Sequence, residues 1–184
     1  MKLPTVIVLA SGRGERFRAS GGTVHKLDAL IAGRSVRERT LDAVRASGLP
    51  WHMEDAGHPG MGDSISAAVR ATSDAQGWLI LPADLPLTGA ATLQRVAAAL
   101  VEGEWKAVQP ACRGVRGHPV GFAASSGDAL KALGGERGAA AVLKTLRAER
   151  AVCELETDDI GVVTDIDTLA DLAAAEALWL SSSR

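Results

Sequence analysis

Apolar and polar residues follow two rhythms along this chain. Short continuous apolar runs bounded by turn residues occur at positions 6–10 (VIVLA) and 78–82 (WLILP), as expected of strands covered on both faces. Between them lie stretches with helical spacing. Positions 35–46 place Val36, Leu41 and Val44 on one side and end at Gly48-Leu49-Pro50. A helix capped by Asp63 or Ser64 ends near Ala71, and another over 88–101 aligns Leu93, Val96, Ala97 and Leu100. Strands are predicted at 51–54, 106–110, 152–156 and 162–164, with a turn feeding a short strand over 113–122. Helical pieces cover 128–133 and 139–147. The final helix carries Leu169, Leu172, Ala173 and Leu180 on one face, with Thr168 and Asp171 as a capping box.

Alternating strands and helices predict a three-layer α/β arrangement with a mainly parallel sheet. No repeat or linker interrupts the pattern, so residues 1–184 read as a single domain. In such folds ligands sit outside the carboxyl ends of the strands.

Composition narrows the function classes. Hydrophobic residues make up 47% and charged residues 23%, the balance of an ordinary soluble domain. A net charge of -2, with Lys and Arg dispersed among acids, argues against nucleic-acid binding. Aromatics at 3%, with no Tyr, argue against a base-stacking platform. Cys112 and Cys153 have no metal-ligand spacing, and MKLPTV lacks the apolar core of a signal peptide, so a cytoplasmic address is expected. No apolar run approaches the roughly 20 residues of a membrane span.

The chemistry concentrates at the ends of the apolar runs. After the first run, Ser11, Gly12, Arg13, Gly14 and Arg16 form a loop whose glycines allow close backbone approach and whose arginines add charge, a design for phosphate. It is neither a P-loop nor a complete dinucleotide fingerprint. A long stretch follows, in which Gly21 and Gly22 suggest a mobile section before Lys26. Three cations suit a triphosphate with a pyrophosphate leaving group.

Asp84, in LPADLPL, suits a Mg²⁺ ligand between phosphate oxygens or an Asx-turn. In TDIDT, Asp165 is the candidate second ligand and Asp167 the helix cap. His118 either contacts a polar substrate or is a surface turn residue, while His25, His52 and His58 read as loop residues. No GxSxG elbow supports a nucleophilic triad.

Taken in order, LASGRGERF with Lys26, PGMGDS, LPADLPL, RGHPV, GGERGAAAVL and TDIDTLADL resemble the MobA-like nucleotidyltransferase family over nearly the whole chain. Within it they look most like the molybdenum cofactor cytidylyltransferases. The resemblance implies a Rossmann-like fold and transfer of CMP from CTP to the terminal phosphate of molybdopterin, with Mg²⁺ as cofactor and pyrophosphate as product. It also implies eventual delivery of the product to a molybdoenzyme.

By the same resemblance Leu9, Ala10, Ser11, Gly12, Arg13, Gly14 and Arg16 surround the nucleotide phosphates and Lys26 neutralises them. Gly60, Met61, Gly62 and Ser64 lie by base and ribose; Asp84 holds the metal, with Asp165 sharing it; Gly117, His118 and Pro119 face the acceptor. The short interval 41–60 implies loss of one βα unit. The alternatives are a guanylyltransferase for molybdopterin or another phosphorylated metabolite, or a nucleotide- or cofactor-binding protein without turnover.

Overall fold

The computed structural model describes residues 3–182. The chain begins with β1 (Thr5–Leu9), buried at every position, and turns through α1 (Glu15–Ala19) into a small hairpin of β2 (Leu30–Ile31) and β3 (Arg34–Ser35). Ser35 accepts the Glu38 amide at 3.2 Å and so caps α2 (Val36–Ala46). β4 (Trp51–Glu54), α3 (Met61–Ala71), β5 (Gly77–Pro82) and α4 (Ala90–Glu102) follow. Beyond them lie β6 (Ala107–Cys112), β7 (Val115–Arg116), β8 (Val120–Ala123), α5 (Gly127–Lys131) and α6 (Ala140–Ala148). β9 (Val152–Glu156) and α7 (Leu169–Ser182) close the order.

The sheet runs β4-β1-β5-β8-β6-β7, with β9 on the other edge of β6. β1, β4, β5, β6 and β9 point one way; only β7 and β8 oppose them. The alternation along β1 divides the core. Val6 and Val8 join Leu79 and Leu81 under α2, α4 and α7, whereas Ile7 and Leu9 join Trp78 and Ile80 over α3, α5 and α6. Both faces are thus covered, which explains the unbroken apolar runs. Among the described residues no helix is long and apolar enough to cross a membrane.

Several expectations need correction. Positions 162–164 are not a strand: Ile160–Val163 is a 3₁₀ turn, because Asp159 accepts the Gly161 amide at 2.9 Å and Gly161 packs against the Leu87 backbone. Neither Asp63 nor Ser64 caps α3, which begins after Gly60; Asp63 instead accepts the Gly135 amide at 3.1 Å. The stretch between Phe17 and Lys26 has a fixed form. Phe17 is buried, the Gly22 amide donates to its carbonyl at 3.0 Å, and Ser20 accepts the Leu169 amide at 3.0 Å. The insert therefore docks on the start of α7. His52 belongs to β4 rather than to a loop. The interval 41–60 holds the end of α2, β4 and a loop, with no further strand or helix.

α3 also meets the 134–138 segment through close backbone approach. The Gly62 amide donates to the Gly135 carbonyl at 2.9 Å, and a Cβ on Gly62 would stand 2.7 Å from the Arg137 carbonyl oxygen. Gly62→Ala should therefore destabilise the protein by about 1–3 kcal/mol, although alanine is the better helix former. Urea denaturation measures this, and an unchanged midpoint would contradict the close packing.

Candidate functional site

The carboxyl ends of β1, β4 and β5 lie side by side, since the Ala10 amide donates to Glu54 and the Ala83 amide to Leu9, both at 2.9 Å. The loop leaving β1 turns at Gly14, whose φ of 63° favours glycine. His25 pins it from below: Nε2 donates to the Gly12 carbonyl at 2.8 Å while Nδ1 accepts the Leu27 amide at 3.3 Å. One imidazole thus fixes the loop and starts the 3₁₀ turn Lys26–Asp28.

Lys26 is consequently aimed at the end of β5. Its Nζ lies 2.6 Å from Asp84 Oδ2 and 3.0 Å from Asp167 Oδ1, and Asp167 Oδ2 receives Arg16 Nη2 at 2.8 Å. The Lys26, Asp84 and Asp167 side chains are only 12%, 16% and 16% exposed, whereas Arg16 is 76% exposed. The ion pairs around Lys26 are therefore shielded from water and stronger than surface pairs. Asp84 also accepts the Ile166 amide at its carbonyl, 3.0 Å away, which ties segment 165–167 to β5.

Burial alone would lower the Lys26 pKa, but Asp84, then Asp167, raise it above its ordinary value. Burial pushes Asp165 up, helped by the neighbouring Asp167 and Asp84 carboxylates. Asp167 feels burial too, yet Lys26, a hydrogen bond from Asp165 and the Arg16 charge bring it below the carboxylate range. Two adjacent carboxyls have opposite protonation tendencies because only one holds the lysine.

The far wall forms where the edge of β6 passes from β7 to β8. Gly117, His118 and Pro119 fill that break: the Gly117 amide donates to Pro110 at 2.8 Å and the His118 amide to Val162 at 2.9 Å. The His118–Pro119 peptide is cis. A side chain on Gly117 would collide with the Val162 backbone. The near wall is the start of α3, where Ser64 shares a 2.9 Å hydrogen bond with Ser11. His58 stands beside it, 3.3 Å from the Glu54 carboxylate.

These walls enclose a cleft of about 890 Å³. Of the residues singled out from sequence, Leu9, Ser11, Gly12, Arg13, Gly14, Arg16, Lys26, Gly60, Met61, Ser64, Asp84, Gly117, His118 and Asp165 line it. Ala10, Gly62 and Pro119 do not line it. Asp167 corrects the expectation most: its carboxylate faces the cleft, and the capping is done by Thr168, whose Oγ1 accepts the Asp171 amide at 3.2 Å while the Asp171 carboxylate accepts the Thr168 amide at 2.7 Å and the Asp167 amide at 3.1 Å. The signal was present, because a complete Thr168–Asp171 box left Asp167 without a capping task. His25 was missed as a support, and nothing in its spacing marks it. His58, Arg116 and Glu136 also reach the lining.

Asp84 and Asp167 converge on one cation position with hard oxygen donors. Among the described residues no group of three or more His, Cys, Asp or Glu side chains is arranged to hold a metal. A pair of carboxylates still fits Mg²⁺, which completes its shell with water and substrate phosphates.

The family model of the MobA-like NTP transferase domain matches residues 41–152, and the chain belongs to that family. The match begins after the glycine loop. No curated protein sequence matches the chain. Among solved structures, a nucleotidyl transferase from Methanothermobacter thermautotroptrophicus (Mth528) superposes with TM-score 0.77 at 20% identity, covering 98% of this chain and 99% of that one. Rv0371c from Mycobacterium tuberculosis H37Rv gives 0.75 at 21%, covering 96% and 98%, and has also been solved in complex with manganese. Molybdopterin-guanine dinucleotide biosynthesis protein A from Archaeoglobus fulgidus gives 0.65 at 18%, covering 96% and 99%. These likenesses establish a shared fold.

Burial holds the His118 imidazole below its ordinary value of 6.5, against a smaller opposing pull from Asp84. A folded pKa below the unfolded one means that the unfolded chain takes the proton more readily. The stability contributed by neutral His118 is complete above the unfolded value and is lost as pH falls through the folded one. An NMR titration of the ring should give a midpoint below 6.5; a midpoint at or above it would show that the imidazole is not desolvated.

Proposed function

We propose that this chain is a single-domain, Mg²⁺-dependent nucleotidyltransferase that moves CMP from CTP to the terminal phosphate of molybdopterin and releases pyrophosphate. The observation that supports it above all is the convergence of Lys26, Asp84 and Asp167 beneath the glycine loop. The cleft volume of about 890 Å³ has room for a nucleotide beside an acceptor. The ordered motif resemblance favours CTP and molybdopterin. An enzyme drawing on CTP works in the cytoplasm, and its product passes to a molybdoenzyme.

In this reading the backbone N–H groups of 11–14, with Arg13 and Arg16, hold the triphosphate as the chain leaves Leu9 and Ala10. Gly60, Met61, Gly62 and Ser64 flank base and ribose, while Gly117, His118 and Pro119 face the acceptor. Asp84 holds the cation with Asp165 or Asp167 as its partner. When bound, Mg²⁺ supplies positive charge to the phosphate oxygens; Mn²⁺ belongs to the same hard class.

The acceptor phosphate is already anionic at neutral pH, so no base need remove a proton. One of its oxygens bonds to the α-phosphorus as the bond to the α–β bridging oxygen breaks, and that electron pair leaves with pyrophosphate. Alignment and charge neutralisation are what the reaction needs, and Arg16 and Lys26 supply both to the leaving group.

A second reading, a guanylyltransferase, is supported by the name of the Archaeoglobus fulgidus neighbour. Pyrophosphate release measured with molybdopterin, Mg²⁺ and either CTP or GTP separates the two. CTP-dependent release is expected, and preference for GTP would select the second reading. Tight CTP binding with no release from either nucleotide would instead identify a binding protein. Lys26→Met should slow the reaction on the order of 100-fold, about 3 kcal/mol. Near-normal turnover of Asp84→Ala at limiting Mg²⁺ would remove Asp84 from its role.

A further inference from the structure

Lys26 has two incompatible tasks. As the phosphate-binding lysine it must offer Nζ to an anion, yet here that atom is held between two carboxylates at 2.6 and 3.0 Å, with 12% of its side chain exposed. An ammonium has three N–H donors, and two are engaged. The two carboxylates are also those best placed to hold a divalent cation. Lysine and cation therefore compete for one position.

The geometry points to an exchange in which Lys26 serves as a tethered counter-ion between Asp84 and Asp167 and yields that place only when the divalent cation arrives together with the triphosphate. This inference rests on the metal-assisted reading above and adds an order of events. Without nucleotide, vacating the position strands the lysine's charge in a shielded site with no partner, which is costly. With nucleotide, the phosphate oxygens take over the ammonium and the carboxylates are freed for the cation. Asp167 becomes part of the machinery because it holds Lys26 through Oδ1 and Arg16 through Oδ2, restraining both cations with one carboxylate.

The lower part of the Lys26 chain favours a change at its end alone. His25 and the 3₁₀ turn Lys26–Asp28 fix the backbone, and Leu27 is buried beside it. The movement is thus confined to side-chain rotamers, and the loop that binds phosphate stays in place.

The exchange can be read without any turnover, from the Mn²⁺ electron paramagnetic resonance signal. The full chain is titrated with Mn²⁺ alone and with Mn²⁺ plus CTP. Wild type should bind Mn²⁺ weakly alone and at least tenfold more tightly with CTP. Lys26→Met should bind Mn²⁺ alone at least tenfold more tightly than wild type, and adding Asp84→Asn should abolish that gain.

Lys26→Gln, which keeps a donor for the carboxylates, is measured in parallel, with circular dichroism as the folding control. Free-Mn²⁺ affinity unchanged in the folded Lys26 variants would overturn the exchange, even if CTP still promotes Mn²⁺ uptake by wild type. Failure of CTP to promote uptake in wild type would instead count against the metal-assisted reading itself. An inverse result, weaker Mn²⁺ binding in both variants, would make Lys26 a support of the cation position and also overturn the exchange.

Discussion

The ammonium of Lys26 joins three segments that the sheet alone does not join. It meets Asp84 at the end of β5 and Asp167 ahead of α7, while its own turn is tied through His25 to the loop after β1. Each partner is shielded from water, so the two carboxylates depend on the ammonium, and the ammonium on them, for compensation. Removing one member of a buried pair typically costs about 3–5 kcal/mol, far more than losing an exposed pair. The glycine loop, the Asp84 corner and the start of α7 therefore act as a unit.

Electrostatics explain why three acids can crowd this region. Asp84 and Asp167 share the lysine, and Arg16 adds a second cation to Asp167. Asp165 has no cationic partner among the described residues and is pushed towards its neutral form by burial and by the charges of its neighbours. The cleft thus keeps acid density near its cations without leaving a shielded charge uncompensated. Across the cleft, the neutral tendency of His118 keeps the opposite wall from competing for the same acids.

The sheet was the most legible part of the chain, because β1 and β5 are buried on both faces and their sequences are correspondingly unbroken. The antiparallel β8 and the minute β7 carry no comparable signature. Apolar residues at 162–163 suggested a strand because burial and strand pairing leave the same mark on sequence. There the backbone is held by Asp159 and Leu87 rather than by a neighbouring strand. For the site, residue types point to the loop and Asp84, since each sits where a run of apolar residues ends, and to Lys26 as a third cation beyond the loop. Sequence points Asp167 to local capping because that task is visible from its neighbours, whereas its contact with Lys26 spans 141 positions. The paired glycines before Lys26 predict a mobile insert. Its order comes from Phe17 and from Ser20 meeting Leu169, partners that local composition cannot reveal.

That docking of Ser20 against Leu169 has a consequence for how the protein is made. Synthesis proceeds from the amino terminus, and early segments can collapse before later ones emerge. The glycine loop, Lys26 and the strands through β9 all precede the last helix in the chain and can gather while it is still absent. Until it arrives, Lys26 and Arg16 have no Asp167, and the insert has no surface on which to rest. A nascent chain that stops short of Asp167 holds every strand of the sheet but lacks the carboxylate that Lys26 and Arg16 share, and arrival of the final helix supplies both that charge and the resting place of the insert.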